Sequence, residues 1–98
     1  MTLDEIKKIV IPACKTFNVE RLSIFGSYAR GDTSRSSDID FIVEFIDPNH
    51  KPSKRFFGLL HLFEDKFRCE IDMVTPDGIK NPYFRDRVMR ERVDLYEG

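Results

Sequence analysis

Apolar residues recur along this chain at two periods, and each change of period marks a new element. After Thr2, the residues Ile6, Ile9, Val10, Ala13 and Phe17 fall at helical spacing, the stripe of an amphipathic helix with one buried face. Thr2 and Glu5 stand in capping-box spacing at its start, where hydroxyl and carboxylate each satisfy an orphan amide. Pro12 has no amide proton to give and should kink or split this helix near Ile11. "RLSIF" predicts a short strand, Gly26-Ser27 a turn, and "SYAR" one helical turn closed by Gly31. "GDTSRSS" is a run of turn formers and reads as loop. In "SDIDFIVEF" the period becomes two. Ile39, Phe41, Val43 and Phe45 point one way; Asp38, Asp40, Ile42 and Glu44 point the other.

The second half repeats the alternation of elements. "DPNHKPS" is a loop, and residues 54–67 carry Phe56, Leu60, Phe63 and Phe67 on a helical stripe that Phe57 and Leu59 widen. "CEIDMVT" is a third strand, with Ile71 and Met73 on one face and Glu70, Asp72 and Val74 on the other. "PDGIKNP" is a turn, a last helix is expected from about Tyr83 to Arg92, and "VDLYE" is a candidate edge strand. No internal repeat interrupts this order. The succession α-β-α-β-α-β-α with short links predicts an α/β (α+β) fold, a small mixed sheet packed by helices.

Composition narrows the function more than the fold. Ninety-eight residues predict one domain, 1–98, with room for a single core. Sixteen basic against 17 acidic residues leave a net charge of -1. That balance predicts no direct nucleic-acid binding and no anionic membrane surface as partner. Cys14 and Cys69 lie far apart without zinc spacing and read as reduced, partly buried thiols; His50 and His61 are isolated. With no targeting segment and no apolar run of ~18 residues, a cytoplasmic location is expected.

Against this background two acidic residues stand out inside an apolar strand. Residues two apart on a strand share a face with Cα atoms about 6.6 Å apart, so Asp38 and Asp40 can bracket one divalent ion. Hard ions such as Mg²⁺ take one or two carboxylates together with substrate phosphates. A third carboxylate from a neighbouring strand completes a two-metal site, and Asp72 is the candidate, with Glu70 in reserve. Without a cation, three such groups repel one another, which disfavours a purely structural role. Gly26 lets backbone pass close to a ligand, and Ser27 adds a hydroxyl at the start of a helical turn, both suited to phosphate oxygens. Alone the pair means nothing. As G-S-x10-D-x-D it is a chance match in roughly one chain in a thousand of this length.

"GSYARGDTSRSSDIDFIV" resembles the signature of the DNA polymerase β-like nucleotidyltransferase superfamily. The short chain, from "LSIFGSYARG" to "RVDLYEG", resembles its minimal nucleotidyltransferase (MNT) family, the antitoxins of HEPN/MNT toxin–antitoxin pairs. The likeness runs over the whole chain; only the third acidic residue lies outside the central motif. It implies the polymerase β-like palm, with Gly26 and Ser27 holding the triphosphate of ATP. It implies Asp38 and Asp40 as ligands of Mg²⁺, and Asp72 as the carboxylate completing a two-metal site and helping to deprotonate the acceptor. Attack at the α-phosphorus then expels pyrophosphate. It further implies a hetero-oligomer with a cognate HEPN ribonuclease toxin, silenced when AMP is placed on one of its Tyr hydroxyls. Two alternatives stay open: an antitoxin that acts by binding alone, and nucleotidyl transfer to a small hydroxylated molecule.

The remaining cations divide. Arg30 and Arg35 flank the loop after Gly26-Ser27, where guanidiniums could meet phosphate. Arg85, Arg87, Arg90 and Arg92 look like a basic patch. Yet Asp86–Arg90, Arg87–Glu91 and Arg90–Asp94 are i,i+4 pairs, so a self-compensating solvated face is expected there.

Overall fold

A computed structural model describes residues 2–31 and 38–98. Helix α1 spans Leu3–Thr16 and opens on the expected capping box, the Glu5 amide donating to Thr2 Oγ1 at 3.2 Å. It runs through Pro12 without a break, unlike the split expected there. Pro12 and Lys8 lie on the exposed side, so water can satisfy the Lys8 carbonyl that loses its donor.

Strand β1 covers Val19–Phe25, two residues more than "RLSIF". The short helix α2, Ser27–Arg30, ends at Gly31, whose φ of 77° only glycine adopts freely. Strand β2 is Ile39–Phe45, helix α3 Pro52–Phe67, strand β3 Ile71–Val74, helix α4 Pro82–Glu91, and strand β4 Val93–Glu97. A 3₁₀ turn, Pro76–Gly78, links β3 to α4. The sheet order is β3-β2-β1-β4. β1 pairs antiparallel with β2 and β4, whereas β3 pairs parallel with β2, so the sheet is mixed. A parallel pair needs a long crossover, and α3 supplies it.

One sheet face is the core. Ile39, Phe41, Val43 and Phe45 of β2 meet Leu22 and Ile24 of β1, Ile71 and Met73 of β3, and the buried faces of α1 and α3. Phe41 is fully buried, with its ring 5.0 Å from that of Phe63. The α3 stripe is rotated from the expected one. Its buried row is Arg55, Leu59, Phe63 and Phe67, while Phe57 is 53% exposed. Sequence hydrophobicity misplaced the row because an arginine heads it. The Arg55 guanidinium donates to the Ile46 and Asp47 carbonyls and its centre lies 4.8 Å from the Phe45 ring centroid. These carbonyls and the aromatic face replace water around the charge.

The opposite face is only partly covered. Ile42 joins Ile79 and Val88 in a second, small buried cluster, with Phe25, Val74 and Met89 against it. Asp40, Asp72 and Glu44 stand on this thinly covered side.

The charge pairs on α4 are met in part. Arg87 Nε reaches Glu91 Oε1 at 3.4 Å. Arg90 donates to the Asp86 carbonyl instead of its carboxylate, at 3.3 Å. Asp94 belongs to β4 and is taken by Arg21, at 3.0 and 2.7 Å, and by the Ser23 hydroxyl at 2.7 Å. Arg92 lies 3.5 Å from Glu44 across the sheet. Both cysteines are free, and burial pushes the Cys14 thiol up to about 12.

Candidate active site

Three turns of chain converge at one corner of the thinly covered face. β1 ends at Phe25, opposite Asp40 of β2, and Gly26 follows with φ 73° and ψ −145°. A Cβ at Gly26 would lie 2.3 Å from Asp40 Oδ2. No other residue lets the backbone come this close to the carboxylate. Ser27 then starts α2, and the Arg30 amide donates back to the Gly26 carbonyl at 3.1 Å.

On the other side of β2, the parallel register sets Asp40 directly beside Asp72. Burial first, then the charge and hydrogen bond of Asp72, then the charge of Asp38, push the Asp40 carboxyl up to about 6; Arg30 pulls the other way. This side-by-side pair is a product of register: residues directly opposite on adjacent strands project from the same face.

The expected residues are thus mostly gathered. Gly26, Ser27, Arg30, Asp40 and Asp72 meet at the corner. Asp38, half-buried just before β2, acts on Asp40 through space and also raises the Cys69 thiol, after burial. Among the described residues no group of three acidic, His or Cys side chains is drawn close enough to hold a metal ion as folded. Glu70 stays exposed, and its carbonyl accepts from the Ile39 amide at 3.3 Å. Arg35 lies outside the described residues.

Residues of α4 complete the corner, and the sequence reading did not assign them to it. Phe84, Arg87, Val88 and Glu91 border a cavity of about 300 Å³ together with Phe25, Gly26, Arg30 and Asp40. Their spacing of three, four and seven is one helical face. That signal was in the sequence, but not the fact that this face turns toward Asp40.

A glycine turn thus packs on one carboxylate, with a second carboxylate in register beside it and Arg30 and Arg87 across the cavity. Residues 4–95 match the nucleotidyltransferase domain family, and the chain belongs to it. It is 38% identical over 98 residues to the candidate protein adenylyltransferase MJ0435 of Methanocaldococcus jannaschii, covering 97% of this chain and 99% of that one. It is 32% identical over 98 residues to protein adenylyltransferase MntA of Thermococcus cleftensis, covering 95% of each. A solved structure described as a candidate minimal nucleotidyltransferase superposes with a TM-score of 0.78 at 27% identity, over 95% of each chain. A toxin–antitoxin structure with AMP-PNP shares the fold, with a TM-score of 0.74 at 19% identity over 94% of this chain and 73% of that one. Among the described residues no helix is long and apolar enough to cross a membrane.

Proposed function

We propose that this chain is a Mg²⁺-dependent protein adenylyltransferase that moves AMP from ATP to a Tyr hydroxyl of a cognate HEPN toxin, and so acts as its antitoxin. The observation that carries the reading is the in-register Asp40–Asp72 pair with Gly26 packed on Asp40. The names of the relatives support a protein acceptor, and the fold shared with a toxin–antitoxin structure supports the partner.

The donor set suits a hard divalent cation. Two carboxylates of like charge lie together, and Asp40 is held above its ordinary range by burial and then by that crowding. Asp40 and Asp72, side by side, would hold Mg²⁺ together with substrate phosphates, and Asp38 would have to move its carboxylate toward them to join. When bound there, Mg²⁺ supplies the positive charge that offsets phosphate charge and eases ionisation of the acceptor.

The chain's own groups do the rest. The Gly26 backbone and the Ser27 hydroxyl orient the β- and γ-phosphates, and Arg30 adds charge beside them. Asp72, exposed at the sheet edge, takes the proton of the incoming hydroxyl. The acceptor oxygen bonds to the α-phosphorus, the bridge to the β-phosphate breaks, and pyrophosphate leaves with the electron pair. Catalysis here is positioning and charge neutralisation, with no covalent enzyme intermediate.

The test is transfer of label from α-labelled ATP in the presence of Mg²⁺ and the candidate toxin. Wild type should label the toxin, and the Asp38→Ala/Asp40→Ala chain should not. Neutralisation of the toxin by both chains, with label in neither, would establish a binder instead. Label on a small hydroxylated compound with no protein acceptor present would move the substrate class.

A further inference from the structure

The cavity beside Asp40 has two unlike ends. Along α4 its wall runs from Phe84 to Glu91, about 10 Å of helix. At the Glu91 end the wall is charged: Arg87 Nε lies 3.4 Å and Arg30 Nη1 3.8 Å from the Glu91 carboxylate. At the other end it is aromatic. Phe84 meets Phe25 edge to face, with ring centroids 6.4 Å apart and planes at 75°. Phe25 immediately precedes Gly26, so this ring pair adjoins the glycine turn itself.

Phe84 is not spent on the core. It is 48% exposed, whereas Val88, one turn further along the same face, is buried. Its backbone is nonetheless fixed. Asn81 Oδ1 caps the helix by accepting from the Tyr83 and Phe84 amides at 2.9 and 3.2 Å, and Pro82 opens the first turn. A half-exposed ring held in place on a cavity wall offers a flat apolar surface to a ligand.

A nucleoside triphosphate is divided in the same way, with a flat base at one end and a polyanion at the other. We propose that Phe84, backed by Phe25, is the stacking platform for the nucleobase, and that the triphosphate extends from it past Gly26 toward Arg30 and Arg87. This rests on the nucleotide reading of the site and deepens it by giving the base a residue. Every base has a π-face, so Phe84 supplies affinity for a base without choosing which one. The rival is that Phe84, beside the 84% exposed Tyr83, anchors a protein partner instead. Its place on one cavity wall with Gly26 and Asp40 favours the base.

Tripolyphosphate carries the tail of the nucleotide without the base, so comparing the two ligands isolates Phe84. The full chain is titrated calorimetrically with ATP, GTP and tripolyphosphate, each with Mg²⁺, as wild type, Phe84→Ala, Phe84→Leu and Phe84→Tyr. Thermal melts verify that each variant is folded. Phe84→Ala should weaken both nucleotides by about five- to fiftyfold and tripolyphosphate by less than about twofold. Phe84→Leu keeps apolar bulk without a ring and should recover little; Phe84→Tyr should restore binding. A second readout is spectroscopic. The chain contains no tryptophan, so Phe84→Trp introduces a single reporter, whose fluorescence ATP should quench and tripolyphosphate should not. Phe57→Trp is the matched control: Phe57 is 53% exposed and borders a separate cavity beside α3, so its reporter should respond to neither ligand. Equal losses for nucleotides and tripolyphosphate in Phe84→Ala, or quenching by ATP in Phe57→Trp and not in Phe84→Trp, overturn the proposal. Unchanged nucleotide binding in Phe84→Ala overturns it too, and a loss of affinity for the candidate toxin in that variant would then assign Phe84 to the partner. Wild type that binds neither ATP nor tripolyphosphate overturns the nucleotide reading beneath it.

Discussion

Gly26→Ala is the sharpest single perturbation of this site, because its two consequences can be separated. The backbone at Gly26 has φ 73° and ψ −145°, a region that residues with a Cβ occupy at a cost of about 1–3 kcal/mol. For a domain of this size that corresponds to a fall in Tm of about 4–20 °C. The new methyl would also start 2.3 Å from Asp40 Oδ2, where real Cβ contacts begin near 3.0 Å. The carboxylate must retreat by about 0.7 Å, and since Oδ2 is the free end of a side chain it can do so at little further cost. The function is less forgiving: a displacement of about 1 Å in a reacting constellation costs on the order of a hundredfold in rate. Transfer should therefore drop by about ten- to a hundredfold in a chain that is still folded well below its Tm.

Gly31→Ala is the matched control. Gly31 also has positive φ, 77°, but among the described residues none lies within 4 Å of where its Cβ would stand. It should lose about 1 kcal/mol from backbone strain and keep transfer within about twofold. The assay is label transfer below the Tm of each variant, with melting curves in parallel. If Gly26→Ala transfers label as fast as wild type while folded, the contact between Gly26 and Asp40 does not set the geometry of the reaction. The argument from that contact then fails.

Two further outcomes follow from the electrostatics. Asp40 titrates near 6 in the folded chain, above its unfolded value, so its stabilising contribution is complete at low pH and is lost as pH rises through about 6. Without divalent cations, the Tm should rise between about pH 8 and pH 5, and Asp40→Asn should flatten that rise while abolishing transfer; a wild-type Tm falling over the same window would contradict the crowding at Asp40. Asp94 behaves oppositely, held down to about 2 by hydrogen bonds from Arg21 and Ser23. Its contribution is present above its unfolded value near 3.9 and is lost as pH falls through about 2. Because the Asp94 side chain is 38% exposed, its ion pair is screened and weak. The main loss in Asp94→Ala is the partner of the fully buried Ser23 hydroxyl, about 1–3 kcal/mol in urea titration at neutral pH. An unchanged midpoint would show that Ser23 finds another acceptor.

The elements were legible wherever one face of each is buried and the other is not. β2 shows this best, since Ile39, Phe41, Val43 and Phe45 alternate with Asp40 and Glu44 and lie in the core as that alternation requires. Legibility failed where burial and hydrophobicity part company. Arg55 is buried on α3 and Phe57 is exposed, because a guanidinium supplied with carbonyls and an aromatic face can take a core position. At Pro12 the split half of the expectation did not occur, because solvent exposure lets the helix run on.

The candidate site stood out in the sequence for a different reason. Carboxylates in an apolar strand break the burial rule, and a rule broken at two positions with a glycine turn ahead of them points to a ligand. What the sequence withheld was the partner surface. Nothing in "CEIDMVT" says that β3 runs beside β2 in the register that sets Asp72 against Asp40. Nothing in "PYFRDRVMRE" says which face of α4 turns inward, yet Arg87 and Glu91 border the cavity through that choice. The second fact depends on the small cluster of Ile42, Ile79 and Val88, which fastens the 3₁₀ turn and α4 onto the second face of the sheet. That cluster reaches Asp40 through its neighbour Ile42 and is too small to cover it. Its size is therefore a functional quantity. A larger one would bury the carboxylates and cost their charge, whereas a smaller one would leave α4, and with it the arginines, without an anchor.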